Sequence, residues 1–379
     1  MKTQICLVSD QAAANLLPAL DGSLQAGRIV LVVTAQMRQK AENLRKVLLQ
    51  SSRQVEFFDI SNAQDFHGMQ NELLELAARQ PQGQEVMLNI TGGTKLMSMA
   101  VQSVAEQAGW RMFYVDVHTD TIIWLDREPS APQPLQQHLK LRHYLQSYGF
   151  ALKEKPDRPS ASAAQQQLTQ PLASQAHSLK DALSLLNALA QDAENRRSLS
   201  VPLVGNYQNN YPLQHLIELF ESVQALEQKG SALHFASEAD RDFVKGGWLE
   251  LHTMQALNQA HGAIGVQDKA IGLEVVHEAT GTQNELDIAF MARNRLFVIE
   301  CKTARIDKPQ SSPAKANDTL FKLAENCSRI GGLGAKGMLV SYRALNDPEM
   351  RLAKALGIAV VAGQETAQLP QKLKQWVGH

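Results

Sequence analysis

Short apolar runs alternate with helical patterns through the first 125 residues, and this alternation constrains the fold more than any other property of the chain. Residues 5–8, 29–33, 55–58, 86–90 and 112–117 read as strands. Helical patterns at about 11–20, 37–50, 64–79 and 94–108 lie between them. Parallel neighbours need a crossover, and a helix supplies it, so a mostly parallel sheet with helices on both faces is expected. Sheets of this kind take ligands beyond the carboxyl ends of their strands.

Two loops at those ends carry polar and glycine residues. The first strand runs into Ser9-Asp10-Gln11, and the fourth into Asn89-Ile90-Thr91-Gly92-Gly93-Thr94-Lys95, which opens a helix. Paired glycines let backbone amides approach an anion, the helix N-terminus favours negative charge, and Thr94 and Lys95 add donors. The spacing is neither G-x-x-x-x-G-K-[ST] nor G-x-G-x-x-G, and no hydride- or phosphoryl-transfer residues accompany it. A structural glycine turn is the simpler alternative. Among functions, a phosphate-binding sensor fits better than an enzyme.

Near the C-terminus, Glu285-Leu286-Asp287-Ile288-Ala289-Phe290 and Leu296-Phe297-Val298-Ile299-Glu300-Cys301-Lys302 read as a hairpin about a two-residue Arg293-Asn294 turn. That register sets Asp287 opposite Glu300 and Glu285 opposite Lys302. Ile288, Phe290, Phe297 and Ile299 line one face; Ala289, Met291, Leu296 and Val298 line the other, beside the acids. Strands apolar on both sides are buried on both sides. Facing carboxylates repel, and buried ones must take up a proton or a cation. A Glu285–Lys302 ion pair is the bland alternative. Burial favours a metal site with a lysine two residues away.

A magnesium- or manganese-like ion held by Asp287, Glu300 and the carbonyl of Cys301 would use hard oxygen ligands. Such an ion activates water and steadies charge on a phosphodiester, and Lys302 would hold the water or neutralise the developing charge. The pattern resembles the PD-(D/E)xK nuclease superfamily, with Leu286 where the superfamily's name has proline. In relatives the helix before the catalytic strands often supplies a further acid. Here Gly246-Gly247-Trp248-Leu249-Glu250-Leu251 opens an amphipathic stretch to about residue 260, so the resemblance points to Glu250, with a solvated glutamate as the alternative. Trp248, Leu249, Met254 and Leu257 are its expected core face. Beyond the hairpin, Lys302, Arg305, Lys308, Lys315, Lys322, Arg329, Lys336 and Arg343 outnumber Asp307, Asp318 and Glu325. Lys315, Lys322 and Arg329, seven apart, share one face of a helix expected over 314–330. In a chain of net charge −1 this is a local patch, suited to a phosphate backbone.

Val8-Ser9-Asp10-Gln11 and the segment from Asn89 to Met97 resemble the two ligand loops of CARF domains, the Rossmann-like sensors of cyclic oligoadenylate in type III CRISPR immunity. A CARF domain followed by a PD-(D/E)xK domain resembles the ancillary nucleases of those systems over nearly the whole chain. The resemblance implies a homodimer with a two-fold-symmetric ring, cyclic tetra-adenylate in most members, bridging both sensor domains. Ser9, Asp10, Gln11, Asn89, Thr91, Gly92, Gly93, Thr94 and Lys95 would then form the ligand site. It further implies that the ligand rearranges the nuclease domains to cut DNA, single-stranded or nicked, and in some relatives RNA. Two rival readings remain: an unregulated repair- or restriction-type nuclease, and an inactive, ligand-controlled nucleic-acid-binding module.

At 379 residues the chain exceeds one ordinary core. The expected division is a sensor domain over 1–130, a helical connector over 131–235, and a nuclease domain over 236–379. Within the connector, 135–148 reads as helical, 153–171 as a Pro/Ser/Ala/Gln-rich linker, and 179–189 and 213–226 as amphipathic helices suited to a small winged-helix-like unit. No apolar run approaches the ~20 residues of a membrane helix, and the first residues lack a signal-peptide layout. Cys6, Cys301 and Cys327 have no zinc spacing, which fits a reducing cytoplasm.

Overall fold

The computed structural model describes residues 2–126, 128, 130–153, 161–203, 206–303 and 314–378. In the N-terminal half, strands β1 (Lys2–Leu7), β2 (Ala26–Thr34), β3 (Gln54–Ile60), β4 (Val86–Asn89), β5 (Arg111–Asp116), β6 (Thr121–Trp124) and β7 (Gln133–Pro134) form one sheet. Their order is β3-β2-β1-β4-β5-β6-β7, with the first five parallel and β6 and β7 antiparallel. Helices α1 (Ala12–Leu20), α2 (Arg38–Gln50), α3 (Phe66–Ala78) and α4 (Lys95–Ala108) are the crossovers. The alternation read from the sequence is therefore the observed architecture. Ile5, Leu7, Val30, Val32 and Leu88 pack under α3 and α4. The alternate residues Cys6, Leu31 and Val33 pack under α1 and α2, as the two-residue period of a strand requires.

The connector departs from the sequence reading in two places. Only α5 (Leu141–Ser147) of the expected 135–148 helix is helical. The extended chain before it satisfies its N–H groups elsewhere: Asp21 Oδ2 accepts from Gln136 and Gln137 (2.6 and 3.0 Å), and Leu141 N–H donates to Asp268 (2.9 Å). A short strand, β8 (Phe150–Leu152), follows. Conversely, the second half of the expected linker, from Ala163 onward, is helix α6 (Ala163–Ser174), opened by a Ser162/Gln165 capping box. Leu168 and Leu172 are buried in it, and that burial overrides a linker-like composition.

Next come α7 (Ala176–Asn195), β9 (Ser200–Pro202), α8 (Tyr211–Glu221), β10 (Leu226–Lys229) and β11 (Ala232–Phe235). The sheet order β10-β11-β9, with helices interleaved in this way, is winged-helix-like. Yet α8 contains no lysine or arginine and exposes Tyr211 and Glu218, a poor surface for phosphates.

After α9 (Glu238–Asp242) and α10 (Trp248–Ile264), the C-terminal sheet comprises β12 (Val266–His277), β13 (Gln283–Ala292), β14 (Arg295–Lys302), β15 (Lys336–Ser341) and β16 (Ala359–Ala362), interspersed with α11 (Ala314–Gly331), α12 (Asp347–Ala355) and α13 (Leu369–Gly378). Its order is β16-β15-β14-β13-β12-β8. One face (Ile288, Phe290, Phe297, Ile299) shares a core with α10, α13 and the connector helices. The other (Ala289, Met291, Leu296, Val298) shares a core with α11 and with the first sheet's Cys6, Leu31 and Val33. Strands β13 and β14 are thus buried on both faces, as their composition requires.

Candidate nuclease and ligand-binding sites

Arg293 (φ 50°) and Asn294 (φ 53°) both adopt the left-handed conformation that a two-residue type I′ hairpin turn demands. Pairing runs as expected through Ala292↔Arg295, Met291↔Leu296, Phe290↔Phe297, Ala289↔Val298 and Ile288↔Ile299. There it stops. The expected facing pairs Asp287–Glu300 and Glu285–Lys302 are not part of the ladder, because the two strands part company. β13 stays with β12 through Leu273↔Leu286 and Glu274↔Glu285, whereas Glu300, Cys301 and Lys302 pair with Leu339, Val340 and Ser341 of β15. At this level Gly272 in β12 has φ 56°, and a strand glycine marks such kinks. The side-chain alternation resets there: Leu286 joins the core of Ala289, not that of Ile288.

Into the fork goes Asp287. Its Oδ2 accepts the backbone N–H of Cys301 at 2.7 Å. Burial, reinforced by the negative charge of Glu300, pushes the Asp287 carboxyl up to about 6, against the opposing influence of Lys302. Glu300 and Lys302, two apart on β14, share a face and form a 2.5 Å ion pair. Burial alone would lower the Lys302 pKa; Glu300 and Asp287 overcome it and hold the ammonium raised. The Cys301 side chain is buried beneath α10, 3.5 Å from Thr253 Oγ1, so only its backbone faces this chemistry. Glu250 lies in the first turn of α10, close enough that its charge, after burial and Asp287, helps raise the Cys301 thiol. The structure therefore gathers Asp287, Glu300, Lys302, Cys301 and Glu250 at one end of the sheet.

Among the described residues, no three His, Cys, Asp or Glu side chains converge as a ready-made metal cluster. The donor set that fits a cation is two carboxylates and a backbone carbonyl, leaving water to complete the shell. A half-desolvated acid with a raised pKa beside a second acid suits a hard divalent ion.

Thr303, directly after Lys302, is fastened from behind. Its hydroxyl donates to the Lys245 carbonyl (3.2 Å) and accepts from Asn187 of α7 (3.0 Å). The chain between α9 and α10 bulges here, and a Cβ on Gly246 would sit 2.9 Å from Thr303 Oγ1. Sequence reasoning missed this support, although the Gly246-Gly247 pair was its signal.

The basic patch is more divided than its spacing implied. Arg343 is docked on α7, reaching the Lys180 carbonyl (3.0 Å), Asp181 (2.6 Å) and Ser184 (2.9 Å). Arg329 pairs with Glu325 at 3.5 Å, and Lys322 is exposed on α11. Arg305, Lys308 and the side chain of Lys315 lie outside the described residues.

In the N-terminal sheet, the loops after β1 and β4 meet at the point where strand order reverses, the ligand crevice of such folds. A Cβ on Gly92 would collide with the Leu7 carbonyl, and Gly93 has φ 76°, so both glycines are dictated by geometry. Thr94 caps α4 by accepting from Met97 N–H (3.2 Å), and Lys95 follows, exposed, in the first turn. Ser9 Oγ accepts weakly from Gln11 N–H (3.4 Å), and Asp10 pairs with Lys40. Asn89 and Thr91 serve the loop from beneath. Asn89 is fully buried and donates to the Ala14 carbonyl (2.8 Å); Thr91 Oγ1 donates to Asn89 (2.6 Å) and accepts from Val115 N–H (2.7 Å). Two cations went unnoticed in the sequence. Lys40 and Arg38, the latter paired with Asp59 at 2.7 Å, open α2 just past the carboxyl end of β2.

Residues 3–144 match the family model of the Card1 CARF domain, and residues 237–379 match that of the Card1-like endonuclease domain. The chain is a CARF-domain nuclease. It is similar over 100% of its length to protein VC1899 from Vibrio cholerae (25% identity, 98% of that chain, TM-score 0.90). It is equally similar in extent to Can2 from Sulfobacillus thermosulfidooxidans, whose structure holds cyclic tetra-adenylate (21% identity, 99% of that chain, TM-score 0.83). A type III CRISPR defence DNA nuclease activated by cyclic oligoadenylate aligns with 91% of this chain over 46% of its own (20% identity, TM-score 0.53). A search of curated proteins returns no significant match. This CARF-domain nuclease has, among its described residues, no helix long and apolar enough to cross a membrane.

Proposed function

We propose that this CARF-domain nuclease is a metal-dependent endonuclease switched on by a cyclic oligoadenylate, cyclic tetra-adenylate foremost, that bridges the sensor domains of a homodimer in a type III CRISPR defence. Residues 1–130 are its sensor, 131–235 its connector and 236–379 its nuclease, with β8 lent to the nuclease sheet. The observation that carries the reading is the Asp287, Glu300 and Lys302 set at the fork of a hairpin whose sheet shares a core with the sensor. The ligand bound in Can2 supports the choice of ring.

Asp287, Glu300 and the Cys301 carbonyl would hold magnesium or manganese, with Glu250 assisting from α10. When bound, the ion supplies an acidified water and charge stabilisation on the phosphodiester. Lys302 orients the Glu300 carboxylate through their ion pair, and its ammonium neutralises charge developing on the phosphoryl oxygens. Lys322 and its basic neighbours hold the strand by its phosphates without reading bases. In the sensor, the Gly92 and Gly93 amides, Thr94, Lys95 and Ser9–Gln11 receive the ring's phosphates and polar edges. Because one ring touches both subunits, its binding energy biases the dimer arrangement.

The test is cleavage of labelled single-stranded DNA, single-stranded RNA and supercoiled plasmid with manganese or magnesium, with and without cyclic tetra-adenylate. Cutting only with the ring supports the reading; cutting regardless of it reduces the sensor to a dimerisation unit. Glu300→Ala abolishes cleavage and leaves ring binding intact, whereas Lys95→Ala weakens ring binding. Unchanged activation of Lys95→Ala removes the ligand role from this loop.

A further inference from the structure

The turn of the catalytic hairpin is built into the sensor. Asn294 is only 5% exposed. Its Oδ1 accepts from Leu139 N–H (2.9 Å) and Gln267 Nε2 (3.1 Å), and its Nδ2 donates to Asp120 Oδ2 (3.0 Å) and the Gln137 carbonyl (3.1 Å). Its own N–H donates to Gln267 Oε1 (2.9 Å). Arg295 adds contacts to the His118 carbonyl (3.2 Å) and Nδ1 (3.1 Å). Asp120 and His118 belong to the tight connection between β5 and β6, where Asp120 itself has φ 51°.

A type I′ turn needs positive φ at both central residues and nothing more, and glycine supplies that without strain. The four side-chain bonds of Asn294 are therefore surplus to the hairpin. A buried polar group with every bond made rigidifies and specifies an arrangement. What it joins is informative. One strand back from the β5–β6 connection, Val115 N–H is held by Thr91 of the ligand loop at 2.7 Å. On the nuclease side, β13 and β14 run without a break in pairing from the turn to Ile288↔Ile299, one residue short of Asp287 and Glu300. Thr91, the end of β5, Asp120, Asn294 and the two acids are thus joined in series by hydrogen bonds and by the short lengths of chain between them.

We propose that Asn294 is a positioning residue, and that its bond to Asp120 is the joint through which the state of the ligand loop sets the geometry of the catalytic hairpin. This rests on the proposed ring-gated function. It differs from a purely cementing role in a measurable way: cement affects resting and activated enzyme alike, whereas a joint affects their ratio.

The experiment uses the full-length protein and four variants: Asn294→Gly, Asp120→Gly, their double, and Asp120→Asn. Both glycine substitutions preserve the left-handed φ, and Asp120→Asn retains an acceptor for Asn294 in a conformation asparagine tolerates. Manganese-dependent cleavage of single-stranded DNA is measured with and without cyclic tetra-adenylate, alongside ring binding and thermal melting. Asn294→Gly and Asp120→Gly are expected to bind the ring normally and keep basal cleavage, yet lose about tenfold of the stimulation, a typical coupling factor. The double is expected to be no worse than either single, and Asp120→Asn to keep the wild-type stimulation. Stimulation of Asn294→Gly equal to wild type, or a parallel fall in basal and stimulated rates, overturns the joint. If Asn294→Gly does not melt cooperatively, the Asp120→Gly and Asp120→Asn pair decides the same question. A wild-type enzyme indifferent to the ring overturns the proposed function itself, and the joint with it.

Discussion

Cys301 donates its backbone N–H to the Asp287 carboxylate over 2.7 Å, at the level where β13 and β14 cease to pair. One hydrogen bond thereby ends the ladder and aims an acid into the fork. The fork matters because it gives β14 to β15 while β13 remains with β12, opening room between the acids that a continuous ladder would close.

Metal binding should follow the ionisation of Asp287. Burial and Glu300 raise its pKa to about 6, so the carboxylate a cation needs is abundant only above that pH. Manganese affinity, read by calorimetry, is expected to weaken by about tenfold per unit as pH falls below that midpoint. In metal-free protein, Glu300→Gln removes the like charge and lowers the Asp287 midpoint. A midpoint near the ordinary carboxylate value would sink the desolvated-site reading.

Gly92→Ala forces a Cβ against the Leu7 carbonyl. The clash sits on backbone, so the loop must shift, at a cost of about 1–3 kcal/mol. Ring affinity should drop by more than tenfold, by about the 1.4 kcal/mol that such a factor represents or more, while residual basal cleavage persists. Unchanged ring affinity in a titration would show that the Gly92 amide is not at the ligand.

Asp120→Asn should stabilise the protein in a pH-dependent way. Burial raises the Asp120 pKa to about 6, so the folded state holds its proton more tightly than the unfolded chain. That contribution is complete at low pH and is lost as pH rises through about 6. Asparagine avoids the buried charge, so the variant's Tm is expected above wild type at pH 8 and level with it near pH 4. Equal shifts at both pH values would contradict the linkage.

Arg343 and Lys322 should separate cleanly. Arg343→Ala breaks the tether to Asp181 and Ser184 and should cost about 1–3 kcal/mol of stability, with no change in the salt dependence of nucleic-acid binding. Lys322→Ala, from an exposed site on α11, should leave stability alone and reduce the salt slope by roughly one phosphate contact. Binding isotherms at several salt concentrations, with melting curves, check both.

The N-terminal sheet was legible because parallel strands buried on both faces leave unbroken apolar runs, and each crossover helix is amphipathic. The I′ turn and the register of the hairpin followed from Arg293-Asn294 and the apolar alternation. Other features were hidden for identifiable reasons. The helix containing Leu168 and Leu172 sits in a linker-like composition, and only its burial makes it a helix. The extended stretch containing Leu135 and Leu139 has helical spacing, but its N–H groups are claimed by Asp21 and Asn294. Arg343 looked like a phosphate contact because spacing cannot reveal that α7 packs within reach.

By itself, then, the sequence determined the two fold classes, the hairpin turn and the strand register from that turn as far as Ile288↔Ile299. Those properties are local, set by side-chain period, turn chemistry and glycine conformation. Only the tertiary structure decided where the hairpin forks, how Thr303 is braced by Asn187 and Lys245, and that Asn294 is seated against Asp120 of the sensor. These pairings join residues more than fifty positions apart in most cases, and no local pattern encodes which distant surface will bury them.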